Sequence, residues 1–157
     1  MQEPTATPLD PNYNHDSRSS FVDVVPVWNM AHRVLFVFLG SGFGGSLRYL
    51  LGGWIQNALG SRFAYGTITI NTSGSFLIAV IMTISVNSDL IGPDLRLALT
   101  TGIMGGYTTY STFNYETIAF FQQGAVLVGV ANVLVTVVAC LMAGGLGVVL
   151  GRALISM

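Results

Sequence analysis

The side chains best suited to chemistry in this chain are hydroxyls and amides placed inside long apolar stretches. The segment Gly102 to Phe113 reads GIMGGYTTYSTF, in which two adjacent glycines, Gly105 and Gly106, precede a run of hydroxylated residues. Glycine lacks the Cβ that favours helix, and nearby hydroxyls can satisfy the backbone groups that a break frees. Broken membrane helices commonly offer carbonyl oxygens to cations and amide groups to anions. The segment therefore predicts an ion site, with a simple kink as the alternative.

Two further polar stripes have a four-residue spacing, which places the members of each on one face of a helix. They are Thr67, Asn71 and Ser75, and Asn132, Thr136 and Cys140. A lone threonine or serine usually donates to a carbonyl of its own helix. An asparagine has two donors and an acceptor that its own helix cannot all satisfy. Asn71 and Asn132 are therefore expected to face another helix or a polar pathway, and the two aligned stripes favour the pathway.

The charged residues closest to the apolar stretches are Arg48 and Glu116. Both lie towards the end of their stretch, which favours positions at a pathway mouth over positions at mid-membrane. An arginine at a mouth would attract anions. The alternative for Arg48 is an anchor that fixes the orientation of its span.

These residues must be positioned by membrane helices, because the chain of 157 residues is 52% hydrophobic and only 8% charged. A spanning helix needs about 20 mostly apolar residues. Four stretches reach that length: Val34 to Ile55, Tyr65 to Val86, Leu95 to Phe121 and Val126 to Ile155. The predicted fold is an all-α integral membrane protein of four transmembrane helices, with the third broken mid-span. Residues 31–157 form this domain, and the proline-rich residues 1–30 are predicted to be a disordered or loosely attached extension.

Glycine and serine pairs at four-residue spacing are predicted to let helices pack closely. In the first span they are Gly40/Gly44, Ser41/Gly45 and Gly42/Ser46, and in the fourth Gly147/Gly151. Short connections between the spans make neighbouring helices antiparallel.

Arginines that flank the spans give little preference for one orientation. Arg33, Arg96 and Arg152 lie on one side, and Arg48 and Arg62 lie on the other. Because the positive side of a membrane protein normally faces the cytoplasm, three against two favours insertion in both orientations.

Composition also excludes several classes of protein. The chain has no lysine and a net charge of −1, so it has no basic surface for nucleic acid. Its histidines, His15 and His32, precede the spans, and Cys140 is its single cysteine. These residues supply neither a metal cluster nor a nucleophile and base pair, so an enzyme is not expected.

Three motifs, GSGFGGSLRY, GTITINTSGSF and GGYTTYSTFNYE, resemble in order and spacing the signatures of the Fluc/CrcB fluoride channel family. The resemblance covers about residues 35–155. The third motif is the most specific, since the family reads close to GGxTTFSTFSxE. The resemblance implies an antiparallel, dual-topology homodimer in the bacterial plasma (inner) membrane that exports toxic fluoride passively.

The resemblance also implies roles for individual residues. A structural sodium ion at the dimer centre would be held by the backbone carbonyls of Gly105 and Thr108. The pore aromatics would be Tyr110 and Phe113, and the pore asparagine would be Asn71. Fluoride must exchange its water for hydrogen-bond donors in a dry pore, and the further candidates are Ser111, Thr112, Asn132 and Thr136. Arg48 and Glu116 would lie at the pore mouth.

The chain departs from the family pattern at two positions, where Tyr110 replaces phenylalanine and Asn114 replaces serine. The tyrosine adds a hydroxyl that could donate to fluoride or to a neighbour. The alternative function is a small proton-coupled exporter of the multidrug type. That mechanism needs a carboxylate in the first span, where this chain has none.

Overall fold

The computed structural model describes residues 27–156, which are entirely helical apart from short connections. The helices are α1 (Val27–Leu59), α2 (Tyr65–Asn87), α3 (Pro93–Leu97), a π-helical segment (Ala98–Met104), α4 (Gly105–Tyr107), α5 (Tyr110–Gln122) and α6 (Val126–Ile155). Three of them, α1, α2 and α6, are long and apolar enough to cross a membrane. Most of the predicted extension, residues 1–30, lies outside the described residues.

The predicted third span is a composite element with a break inside the segment Gly102 to Phe113. From Pro93 to Tyr107 the chain is continuously helical, and at Thr108 and Thr109 it becomes extended, with φ/ψ of −78°/158° and −151°/114°. The predicted interruption of this segment is therefore present, but the double glycine is not its site, because Gly105 has the helical φ/ψ of −62°/−39°. The break lies two residues beyond the glycines.

The glycines near the break serve helix packing instead. A Cβ on Gly106 would lie 2.8 Å from the Cα of Ser41 on α1. A Cβ on Gly40 would lie 2.9 Å from the Cα of Gly102. Close backbone approach at these positions lets α1 pack directly on the segment before the break, as small residues do in membrane helices.

The small-residue pair of α6 makes the second close contact. A Cβ on Gly147 would lie 2.5 Å from the carbonyl oxygen of Phe76 on α2, and one on Gly151 would lie 2.7 Å from Cβ of Thr83. Packing by Gly147/Gly151 is therefore confirmed. Gly42 differs, since a Cβ there would meet nothing within 4 Å. That face of α1 is open in the part of the chain that the structure describes.

Loop geometry fixes how neighbouring helices are joined. Gly60 after α1 and Gly124 before α6 have φ of 88° and 76°, values that favour glycine. At the opposite end of α1, Arg33 Nε donates to Asp94 Oδ1 at 3.0 Å and connects the helix to the start of the composite element. The Arg33–Asp94 hydrogen bond thus holds one end of α1 beside the first turn of the composite element.

Much of the apolar surface faces outward. Phe38 is 72% exposed and Leu127 is 82% exposed, whereas the buried apolar core consists of Ile70, Met104 and Tyr107 with their neighbours. Outward apolar side chains along helices of this length are typical of contact with lipid. The core lies beside the break, between α1, α2 and the composite element.

Candidate functional site at the helix break

The break is held by the side chain of Asn71 on α2. Its Nδ2 donates to the carbonyl oxygen of Thr109 at 2.9 Å, and its Oδ1 accepts from the amide of Thr109 at 2.8 Å. Both residues are buried. A buried backbone amide and carbonyl outside a helix need such partners, since unpaired groups are costly at membrane depth. Asn71 therefore satisfies both polar groups of the extended residue.

The break frees carbonyl oxygens of the composite element, among them those of Gly105 and Thr108. In an unbroken helix the amide of Thr109 would return to Gly105, but it donates to Asn71 Oδ1. Likewise the amide of Thr112 would return to Thr108, but it donates to Thr109 Oγ1 at 3.2 Å. The carbonyls of Gly105 and Thr108 are thus released from the helical pattern. Carbonyl oxygens at such breaks are suitable ligands for sodium.

Hydroxyl groups cap the start of α5. Thr109 is the N-cap residue, and its Oγ1 is 2.9 Å from Thr112 Oγ1 and 3.3 Å from Ser111 Oγ. The Thr109 side chain thus accepts from the amide of Thr112, one of the first-turn amides that have no carbonyl partner within the helix. Two of the predicted donors, Ser111 and Thr112, therefore lie together at the first turn of α5, beside the Thr109 hydroxyl.

Tyr107, just before the break, and Thr108, inside it, also contact α2. The hydroxyl of Tyr107 lies 3.0 Å from Ser73 Oγ, and Gly74 leaves room for Thr108 and the Tyr107 ring to approach. Tyr107 is buried. Ser73, Gly74 and Tyr107 were not among the site residues predicted from sequence. Gly74 lies eight residues after Gly66 and so on the same face of α2, and that spacing was the available signal for it.

The two predicted pore aromatics lie side by side on α5. The ring centroids of Tyr110 and Phe113 are 5.7 Å apart, with planes tilted by 53°. Phe113 is buried, whereas Tyr110 is 77% exposed. The aromatic pair is therefore present, and its hydroxylated member faces outward.

Glu116 lies almost two turns beyond the start of α5 and contacts Thr67, a member of the polar stripe on α2. Thr67 Oγ1 donates to Glu116 Oε1 at 3.0 Å. Both residues line a cavity of about 410 Å³, together with Arg48, Thr109 and Thr112. The structure thus brings the two charged residues predicted at a mouth into one cavity, and this cavity reaches the N-cap of α5.

The polar stripe of α6 (Asn132, Thr136 and Cys140) contacts α5 through Asn132. Asn132 is fully buried, and its Nδ2 donates at 2.8 Å to Thr117 Oγ1, which in turn donates to the carbonyl of Phe113 at 2.8 Å. In residues 27–156, Asn132 Oδ1 and Thr136 Oγ1 are buried and have no hydrogen-bond partner. Cys140 is half-buried, 4.0 Å from Thr72 Oγ1. Thr117 was missed because a single threonine has no periodic signal.

Polar groups of the break also form an open surface. The exposed residues are Gly105, Tyr110, Ser111, Thr112 and Asn114. Lipid would offer these polar side chains no hydrogen bonds beyond those of Ser111 and Thr112 with Thr109, which is unfavourable in a bilayer. This surface therefore differs from the apolar exterior of the other helices.

These features together define a class of protein. The chain is a multi-pass membrane protein in which a polar break and aligned hydrogen-bonding groups lie among apolar helices, an arrangement that channels and transporters use for ions. A family model described as CrcB-like protein, Camphor Resistance (CrcB), matches residues 35–148. The chain belongs to this family.

Curated relatives agree over most of the chain. Fluoride-specific ion channel FluC of Anaeromyxobacter sp. (strain K) is 51% identical over 111 residues, 71% of this chain and 88% of that protein. The protein of the same name in Sorangium cellulosum is 45% identical over 124 residues, 79% and 98% of the two chains. That of Citrifermentans bemidjiense is 43% identical over 122 residues, 78% and 98%.

Proposed function

We propose that this chain is a fluoride-specific ion channel that lets cytoplasmic fluoride leave the cell passively and so reduces its toxicity. The observation that carries the proposal is the 51% identity to a protein with that name, over 88% of its length. The structure supports it with a cavity that joins Arg48 to the hydroxyl-capped start of α5. The multidrug-type exporter finds no support, because the matching relatives are named as channels.

The proposal includes a fourth membrane crossing by the composite element from Pro93 to Gln122. The two parts of this element flank the break, and α1 and α2 cover its backbone at Ser41 and Asn71. Non-helical backbone is tolerated at membrane depth where protein covers it or where it lines a cavity. With α1, α2 and α6 this gives four spans and both ends of the described chain on one side.

The proposed active form is an antiparallel homodimer. The polar surface that contains Ser111, Thr112 and Asn114 is open in one subunit, and lipid offers it no hydrogen bonds. A second copy with the same surface would cover it. The arginine distribution of three against two supports insertion in both orientations, so the two copies can be antiparallel. Reporters fused to the C-terminus would be labelled from both sides, and labelling from one side would refute dual topology.

We also propose a structural sodium ion at the dimer centre. Its ligands in this chain would be the carbonyl oxygens of Gly105 and Thr108. The support is that the amides of Thr109 and Thr112, their helical partners, donate elsewhere. Carbonyls released at a helix break are the groups with which transporters bind sodium. The ion would supply positive charge close to the first turn of α5.

The proposed fluoride pathway runs along the polar face of α5. The hydroxyls of Ser111 and Thr112 can donate to fluoride, and the positive edges of Tyr110 and Phe113 can face it. Asn71 has one further Nδ2 hydrogen beyond the bond to Thr109. On α6, Thr136 has an uncommitted hydroxyl and Asn132 lies one turn away. These side chains replace the water that a small anion loses in a dry pore.

The decisive experiment measures fluoride efflux from proteoliposomes with a fluoride electrode. Purified protein should release trapped fluoride when the counter-ion is allowed to move, and chloride-loaded vesicles should release much less chloride. Protein-free vesicles give the background. Absence of fluoride release from monodisperse, folded protein would overturn the proposed function.

A further inference from the structure

One carboxylate oxygen in the cavity is left without a partner. Glu116 Oε1 accepts from Thr67 Oγ1 at 3.0 Å, but in the part of the chain that the structure describes, Glu116 Oε2 is buried and unpaired. A buried polar atom without a hydrogen bond is unfavourable, and a negatively charged one more so. A proton on Oε2 removes that charge.

The surroundings of Glu116 contain little that could neutralise it permanently. The cavity is lined by Arg48 and Tyr49 from α1, whereas α2 contributes only uncharged groups such as Thr67. Arg48 forms no ion pair with Glu116 within 4.0 Å among residues 27–156. Helix α6 carries Cys140 and Arg152 as its ionisable residues, and both lie more than three turns beyond its start. Arg48 is the one permanent charge lining the cavity.

We propose that Glu116 is a proton-binding site that controls anion entry through this cavity. A proton from water binds Oε2 and returns to water, so no other reactant is needed. With Glu116 ionised, its charge offsets that of Arg48; with Glu116 protonated, the cavity carries one net positive charge and attracts an anion. The inference rests on the proposed channel function and assigns the cavity a role in its regulation.

The direction of the effect follows from Coulomb interaction. A carboxylate beside the path of an anion repels it, and at the effective dielectric of a partly buried site one charge changes entry by on the order of tenfold. Acidification should therefore raise fluoride flux. Because Glu116→Gln is uncharged at all pH values and retains a group that accepts from Thr67, it should conduct at neutral pH as the protonated wild type does.

The experiment compares fluoride efflux from vesicles over a series of pH values that runs from neutral to acidic. Protein-free vesicles subtract the leak of neutral hydrogen fluoride at each pH. We expect wild-type flux to rise on the order of tenfold across the range. Glu116→Gln should show raised flux at the upper pH and no change. Asp94→Asn is the matched control, since Asp94 pairs with Arg33 outside the cavity, and should retain the wild-type profile.

A second measurement does not depend on conduction. The infrared band of a protonated carboxyl group should appear in the wild type on acidification and be lost in Glu116→Gln that elutes as folded protein. Equal pH profiles in the wild type and Glu116→Gln, or no band belonging to Glu116, would overturn the proton-binding role. If the infrared band titrates but no fluoride flux occurs at any pH, the proposed channel function fails, and control of entry fails with it.

Discussion

The Asn71 side chain forms hydrogen bonds with both backbone groups of Thr109, with Nδ2 2.9 Å from the carbonyl oxygen and Oδ1 2.8 Å from the amide nitrogen. The contact joins residues 38 positions apart, on different helices. It gives the extended residue of the break the hydrogen bonds that a helix would otherwise supply. The asparagine on α2 is therefore part of the framework of the site, whatever further role its remaining hydrogen has.

Replacing Asn71 by alanine should destabilise the fold, because it leaves two buried backbone groups of Thr109 unpaired. Each such group costs about 1–3 kcal/mol. Thermal unfolding in detergent should show a lower midpoint for Asn71→Ala. Ser75→Ala is the control on the same face, since Ser75 Oγ donates to its own helix at 2.7 Å. Similar midpoints for the two variants would show that the two hydrogen bonds between Asn71 and Thr109 do not stabilise the fold.

Tight packing between α2 and α6 predicts different effects at two nearby glycines. Gly147→Ala would place its Cβ 2.5 Å from the Phe76 carbonyl oxygen, and such overpacking costs about 1–3 kcal/mol. Gly145→Ala meets nothing within 4 Å and should be neutral, or stabilising by up to about 1 kcal/mol through helix propensity. The check is the yield and unfolding midpoint of folded protein. Equal midpoints would contradict the close contact.

The hydroxyl of Tyr110 should matter for conduction and not for folding. Tyr110 is 77% exposed in the subunit, so Tyr110→Phe should leave the unfolding midpoint unchanged. If the hydroxyl donates to fluoride, losing one hydrogen bond of about 0.5–1.5 kcal/mol should lower flux up to about tenfold. Fluoride efflux from proteoliposomes measures this. Equal flux would show that the hydroxyl is idle.

The proposed sodium site predicts an effect of ion exchange on stability. A ligand that binds only the folded state at 100 times its Kd stabilises that state by about 2.7 kcal/mol. Replacing sodium by N-methyl-D-glucamine at constant ionic strength should therefore lower the unfolding midpoint of the purified protein. Returning sodium should restore it. A midpoint independent of sodium over a wide concentration range would argue against the site.

Sequence alone predicted the helical spans because a membrane crossing needs only a sufficient length of apolar residues. The three long helices agree with the predicted spans, although α1 starts at Val27 and not at Val34. With 33 residues it is about 50 Å long, more than the hydrocarbon thickness of about 30 Å. Hydropathy does not mark where a helix ends once it has left the apolar layer.

The break shows what sequence predicted only in part. The composition of Gly102 to Phe113 indicated an interruption, and the structure contains one, but at Thr108 and Thr109 in place of the double glycine. A glycine permits non-helical backbone without requiring it. Which residues leave the helix depends on partners far away in the chain: Ser41 packs against Gly106, and Asn71 binds Thr109.

The same distinction applies to the candidate site. Four-residue spacing correctly placed Thr67 with Asn71 on one face and Asn132 with Thr136 on another, because the helical period is a local property. Only the tertiary structure decided that Thr67 meets Glu116, that Thr117 links Asn132 to Phe113, and that Arg48 and Glu116 share a cavity. Those contacts depend on the relative positions of helices, which are set by close packing between backbones distant in sequence.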